Sequence, residues 1–173
     1  MLLPHLVWLA CSAALGLAPP ASEYQVKITL LAKLPSFVEW PATNPGSGSG
    51  TPFLLGVVGR NPFGDELELY FLDHKIKGRA VLVRYFNKPQ DIGPCDLLFV
   101  CSSERTNLPS ILARTRKQPT LTVGDSEGFA KEGVMINLMK NGDRLAFEAN
   151  LQAVREAGLV LSKTFLPVIK HLW

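Results

Sequence analysis

Acid–base or nucleophilic chemistry needs a base held beside a nucleophile, and the chain offers few candidates. Its three histidines are His5, His74 and His171. His5 lies in the apolar leader, His171 two residues from the end, and His74 where a helix should finish. Pairing His74 with Ser102 or Ser103 would need a third group and an oxyanion loop, and neither is evident. Asp65 and Glu66 fall early in an expected helix, where acids usually favour the helix dipole. The sequence holds no Gly-x-Ser-x-Gly, His-Glu-x-x-His or P-loop. Of the three cysteines, Cys11 falls in the leader. Cys95 and Cys101 flank an apolar run, which as a strand holds their Cα atoms roughly 20 Å apart. A disulfide needs about 4.4–6.8 Å. Buried free thiols and an intermolecular bridge are the two remaining readings. No Cys-x-x-Cys occurs, so no metal centre is expected, and nothing calls for a cofactor.

Binding is easier to argue than catalysis. In open α/β sheets, ligands sit beyond the carboxyl ends of the strands. The expected strand ends here are Gly59-Arg60-Asn61, Cys101-Ser102-Ser103 and Gly124-Asp125-Ser126. Arg60 beside a helix start suits an anion. Arg60, Asn61, Ser103 and Asp125 are therefore candidate ligand residues. A second candidate surface is the polar face of a hairpin, with Asn137, Arg144 and Glu148. Caps, turns and a solvated outer face are the structural alternatives for both groups.

The elements that must position these residues alternate between helix and strand. Apolar residues from Tyr24 to Val38 fit a helix over 23–40, capped by Ser22 and interrupted by Pro35. Phe53–Val58 reads as a strand, and Pro62 to Leu72 as a helix capped by Asn61. Strands are expected over 80–86, 96–100 and 120–123, a helix over 104–116 and a helical turn over 125–131. Asn141-Gly142 between apolar runs is a strong hairpin cue. A two-residue turn there pairs Met139 with Arg144, Asn137 with Ala146 and Met135 with Glu148. Period two then places Ile136, Leu138, Phe147 and Ala149 on a core face. Asn150 should cap a helix that Gly158 closes. Ser162 should cap a last helix, with Leu161, Phe165, Leu166 and Ile169 facing inward. The fold class expected is α/β, a single-domain three-layer sandwich with a mostly parallel sheet and a C-terminal antiparallel hairpin.

The 173 residues are 47% hydrophobic, which excludes a disordered chain. A net charge of +3 gives no footing for nucleic-acid binding. Three cysteines exclude a disulfide-dense scaffold. The first 22 residues carry no Asp, Glu, Lys or Arg, and Leu6 to Leu17 is apolar and too short to span a bilayer. Residues 1–21 are read as an export signal, although the usual leading Lys or Arg is missing. Residues 22–173 form the domain, with a flexible Gly-Ser connector over 41–52. Its glycines precede a strand rather than follow one, so they do not form a dinucleotide loop.

The order of motifs resembles the YfiR family of small periplasmic proteins. The matching stretches begin with Glu23-Tyr24-Gln25-Val26-Lys27, followed by Phe37-Val38-Glu39-Trp40-Pro41, Gly59-Arg60-Asn61-Pro62-Phe63-Gly64 and Ile76-Lys77-Gly78-Arg79. They continue with Cys95-Asp96-Leu97-Leu98-Phe99-Val100 and Leu121-Thr122-Val123-Gly124-Asp125. They close with Ile136-Asn137-Leu138, Arg144-Leu145-Ala146-Phe147-Glu148-Ala149-Asn150, Ala157-Gly158-Leu159 and Leu161-Ser162. The resemblance implies a periplasmic binding protein rather than an enzyme. It implies repression of an inner-membrane diguanylate cyclase through that protein's periplasmic domain, and hence control of cyclic di-GMP and biofilm. The alternative is a small-ligand sensor working with a sensor kinase or transporter. A homodimer is also implied. Phe37, Trp40, Phe63 and Asn150 carry over as fold or interface residues, with Glu148 as a further signature position.

Overall fold

The computed structural model describes residues 22–42, 50–142 and 144–173. The expected leader and most of the expected connector lie outside the described residues. Helix α1 spans Glu23–Lys33. The Ser22 hydroxyl accepts the Gln25 N–H at 3.2 Å, and the Gln25 side chain accepts the Ser22 N–H at 2.8 Å. This capping box satisfies donors that the first turn leaves unpaired. Pro35 turns the chain into a 3-10 segment, Leu34–Phe37, so α1 ends seven residues short of Trp40. Two-residue strand β1, Val38–Glu39, follows.

Strand β2 spans Phe53–Val58, as expected. Asn61 then accepts the Phe63 N–H at 2.9 Å and donates to the Gly64 carbonyl at 3.0 Å. That side-chain turn occupies the residues expected to open a helix. Helix α2 consequently starts later, at Glu66, and ends at Asp73. Strand β3 is Val81–Phe86 and β4 is Leu97–Val100. A 3-10 segment over Ser102–Asn107 leads into α3, Leu108–Thr115. Strand β5 is Leu121–Gly124 and helix α4 is Phe129–Glu132. The hairpin is β6, Ile136–Asn141, with β7, Arg144–Ala149. Asn150 caps α5, Leu151–Glu156, by accepting the Ala153 N–H at 2.8 Å. Strands β8, Val160–Leu161, and β9, Ile169–Leu172, complete the chain.

Seven strands form one sheet in the order β3-β2-β4-β5-β6-β7-β9. The first five run parallel. Strand β7 is antiparallel to β6, and β9 is parallel to β7. A small antiparallel pair, β1 with β8, lies apart. From β2 the chain moves outward to β3, then returns to lay β4 on the other side of β2. The order reverses between β2 and β4, which defines a switch point.

Strand alternation feeds two cores. Leu55, Val57, Leu97, Phe99 and Val123 pack with Ile28 and Leu31 of α1, Leu67 and Phe71 of α2, and Val154 of α5. Val58, Leu98 and Val100 pack with Leu108 and Ile111 of α3 and Phe129 of α4. Helices on both faces of the sheet make the three-layer α/β architecture that the alternation predicts.

Two expectations are corrected at the C-terminal end. The hairpin register is displaced by two residues: Asn137 pairs with Glu148, Met139 with Ala146 and Asn141 with Arg144. The turn is built one residue further along than Asn141-Gly142. A shift of two preserves the faces, so Ile136, Leu138 and Ala149 are buried as expected. The last helix is reduced to a 3-10 turn, Leu166–Val168. Pro167 cannot donate to a helix, and Val168 and Ile169 are β-branched. The free edge of β7 supplies the missing partners, and β9 adds there, with a bulge between Phe147 and Glu148. The Trp173 N–H donates to the Ala149 carbonyl at 2.8 Å and prolongs this pairing.

Phe165 anchors the turn before β9. It is 3% exposed, and its ring centroid lies 5.1 Å from those of Phe37 and Phe147. Phe165→Ala should cost about 3–5 kcal/mol, whereas Leu172→Ala, at an exposed site, should stay within about 0.5 kcal/mol. Urea unfolding checks this: equal midpoints for the two variants would contradict the packing of the C-terminal segment.

Candidate ligand site at the carboxyl ends of the strands

The switch point is closed by a helix that the strand-end argument did not invoke. Lys27 of α1 falls three residues after Tyr24 and four before Leu31, on the apolar stripe. Its side chain is consequently carried into the interior and is only 3% exposed. Nζ meets Asp125 Oδ2 at 2.8 Å, just past the end of β5, and Glu23 Oε1 at 2.7 Å one turn back. The ammonium also lies 4.4 Å from the centroid of the Tyr24 ring. Tyr24 packs edge-on against Phe63 at 5.5 Å, and Phe63 against Phe99 of β4 at 4.9 Å. Burial is the largest influence on Lys27 and pulls its pKa down. The hydrogen bonds to Asp125 and Glu23 outweigh it and hold the group above its ordinary 10.5.

Asp125 is only 4% exposed in its side chain. Its Oδ1 is buried and accepts no hydrogen bond among the described residues. A buried carboxylate oxygen without a donor is uncommon. Beside it, Asn137 is fully buried. Its Oδ1 accepts the Ser126 N–H at 3.2 Å, and its Nδ2 donates to the Ser126 carbonyl at 2.8 Å and to Glu148 Oε2 at 3.1 Å. Asn137 thus fixes the turn that presents Asp125 and ties it to β7.

On the other side, Gly59 has φ +99°, and a Cβ there would fall 2.5 Å from Ser103 Oγ and 2.6 Å from Glu104 Cγ. Only glycine permits this approach. It lets the Arg60 N–H donate to Ser103 Oγ at 2.9 Å. Glu104 is buried, accepting from Ser103 Oγ at 3.2 Å and from Asn107 Nδ2 at 2.8 Å. Cys101 lies in the field of Asp125 and Glu104; burial, reinforced by those two carboxylates, pushes its thiol up to about 12.

The structure therefore brings Asp125, Asn137 and Glu148 together, and Arg60 to Ser103. Arg60 itself is exposed and Asn61 is used in its own turn. Arg144 stands at the hairpin tip opposite Asn141, four residues along β7 from Glu148, so it does not join them. Phe37, Trp40, Phe63 and Asn150 all make contacts within the chain. Trp40 Nε1 donates to the Pro119 carbonyl at 3.0 Å, and its ring packs edge-on against Phe53 at 6.0 Å. Asn150 Nδ2 donates to the Ala130 carbonyl at 2.9 Å. Lys27 enters the sequence reading only within a matching stretch, Tyr24 there and as an apolar helix residue, and Glu104 as a helix start; none of the three is singled out there as a site residue. The signal for Lys27 was a lysine in register with the apolar stripe of α1.

Breaking a buried pair from one side strands the other charge. Lys27→Met should destabilise the fold by about 3–5 kcal/mol, and Lys27→Met with Asp125→Leu should recover most of that loss. Because Lys27 is held above 10.5, its contribution is fully present below that pH and is lost as pH rises through the raised value. Wild-type urea midpoints should thus fall in the strongly alkaline range, and those of the double variant should lack that component. A single variant as stable as wild type would contradict the pair's role.

No group of His, Cys, Asp and Glu able to hold a metal occurs among the described residues. Among them, no helix is long and apolar enough to cross a membrane. No curated protein matches the chain. Similar folds occur in two solved structures. A conserved domain protein from Vibrio cholerae O1 biovar eltor has a TM-score of 0.59 at 12% identity, over 86% of this chain and 59% of that one. An ABC domain in complex with L-Trp from Streptococcus pneumoniae has a TM-score of 0.55 at 8% identity, over 72% and 56%. The chain thus spans less than two thirds of either, and at these identities the likeness concerns the fold alone. The model of the DUF4154, YfiR/HmsC-like, family matches residues 24–168, from the first turn of α1 to the residue before β9. With six of the seven strands of the sheet, its switch point and the ordered motifs inside that span, the chain belongs to the YfiR/HmsC-like family, a regulatory and periplasmic family consistent with a role in cyclic di-GMP signalling.

Proposed function

We propose that the protein is a non-enzymatic periplasmic regulator that represses an inner-membrane diguanylate cyclase by binding its periplasmic domain. The observation that carries this reading is the family match over residues 24–168. The expected export signal over residues 1–21 supports it. In this reading Phe37, Trp40, Phe63 and Asn150 hold the shape of the domain from within. Contact with the receptor falls to exposed side chains instead, such as Leu69 and Leu72 on one face of α2, which are 61% and 77% exposed.

A second reading is favoured by one observation, the unpaired Oδ1 of buried Asp125 at the switch point. A small ligand with a hydrogen-bond donor would satisfy it. Such a ligand must displace the turn of α1 that carries Lys27, so occupancy and the position of α1 are coupled. If α1 in turn shapes the receptor surface, ligand and receptor affinities are linked reciprocally. The two readings then describe one device.

Deleting the gene should raise cellular cyclic di-GMP, and complementation should restore it. A complementing Leu69→Asp, Leu72→Asp chain should be exported and folded yet fail to restore it. Unchanged cyclic di-GMP in the deletion strain, with the protein confirmed as expressed and exported in the parent, would overturn the repressor reading.

A further inference from the structure

At the opposite end of the sheet from the switch point, a cleft of about 510 Å³ opens between α3, α4 and α5. That volume falls within the range of small-molecule sites, about 300–1,000 Å³. Its apolar lining comes from Leu112 and Ala113 of α3, Met135 before β6, and Ala153 of α5. Met135 is only 4% exposed, and its N–H is fixed by donation to Thr122 Oγ1 at 3.0 Å. The apolar surface is therefore held by the sheet beneath it.

The charges around the cleft are unevenly committed. Glu156 on one wall accepts from Arg116 Nε at 3.0 Å and from Gln152 at 2.9 Å. Glu132 on another wall lies 3.8 Å from Arg105. Both carboxylates thus have partners. The cations Lys117 and Lys131 form no ion pair among the described residues. Lys131 Nζ stands 5.7 Å from the centroid of the Trp173 ring. Lys117 lies in the field of Glu156 but makes no side-chain hydrogen bond among the described residues.

Lys117 is also backbone-strained. Among the described residues, two that are not glycine have positive φ: Lys77 at 50° and Lys117 at 61°. Glycine would hold either conformation without steric cost. Lys77 has a structural reason to be lysine: its Nζ donates to the Val38 carbonyl at 3.0 Å and lies 5.4 Å from the centroid of the Trp40 ring. Lys117 has no such contact and lines the cleft instead. Its positive φ belongs to the turn that ends α3, closed by the Gln118 N–H donating to the Thr115 carbonyl at 3.0 Å, which leaves its side chain at the cleft without an ion-pair partner among the described residues.

We propose that this cleft binds a small organic carboxylate. Its head group sits between Lys117 and Lys131, and its apolar body lies on Leu112, Met135 and Ala153. Binding requires both parts, because the two lysines are the charges of the lining that form no ion pair among the described residues, and the floor offers hydrocarbon. This site is separate from the switch point and stands or falls independently of the cyclase.

Calorimetric titration of the purified chain with benzoate tests it, with benzyl alcohol and inorganic phosphate as controls for body and charge. Benzoate should bind saturably and at least about tenfold more tightly than either control. Lys117→Gly keeps the backbone geometry and removes the charge. It should raise the urea midpoint yet weaken benzoate about tenfold, while Lys117→Arg retains the affinity. Failure of benzoate to saturate, equal binding of benzyl alcohol, or unchanged benzoate affinity in Lys117→Gly would each overturn the proposal.

Discussion

The ion pair between Lys27 and Asp125 is the constraint on which the carboxyl end of the sheet depends. An ammonium and a carboxylate, each nearly sealed from water, are stable only against one another. Their meeting fixes where α1 lies, because Lys27 can reach Asp125 only when Ile28 and Leu31 are seated in the core. It also decides what the switch point looks like. Elsewhere in open α/β sheets this place is a crevice; here the first helix of the domain fills it. The energetic weight of the pair lies less in attraction than in the cost of separating it.

A comparable device works at the other end of the sheet. Arg79, just before β3, meets Asp96, just before β4, at 2.9 Å, with side-chain exposures of 15% and 5%. Asp96 Oδ2 also accepts the Leu54 N–H at 2.8 Å, and Arg79 donates to the Pro52 carbonyl at 2.6 Å. One arginine and one carboxylate thereby align the starts of three neighbouring parallel strands. Parallel strands have no tight turn to fix their register. A charge-assisted network of this kind takes over that task, and it leaves the carboxyl ends free to carry Asp125, Ser103 and Gly59.

Much of this was legible in the residues. Short apolar runs gave the parallel strands, because strands buried on both faces have little polar alternation to confuse them. Ser22, Asn150 and Gly158 marked helix limits through local hydrogen bonding or backbone freedom, which are properties of a few adjacent residues. The failures arose where a decision was not local. Asn61 was read as a helix cap, but its side chain closes a turn on Phe63 and Gly64 instead. The segment after Ser162 was read as a helix, yet the open edge of β7 drew it into the sheet. The hairpin turn was placed one residue early, because a core face constrains a strand only modulo two residues. Within the site, Asp125, Asn137 and Glu148 were found by chain position, whereas their grouping depends on the β6–β7 register. Lys27 was not singled out as a site residue because its partner lies 98 residues away.

The two cysteines of the domain take on a kinetic meaning once the cores are drawn. Cys95 belongs to the core that contains α3 and α4, and Cys101 to the core that contains α1 and α2. They sit at opposite ends of β4 and on opposite faces of the sheet. Burial pushes each thiol up to about 12, which leaves almost no thiolate to react. In the unfolded chain the same residues are six positions apart in an open loop, free to join. A bond formed then would forbid β4 from extending and would bar the native sheet. In an oxidising compartment, folding and oxidation therefore compete for one strand. The first to finish determines whether the chain reaches its native sheet or a dead end.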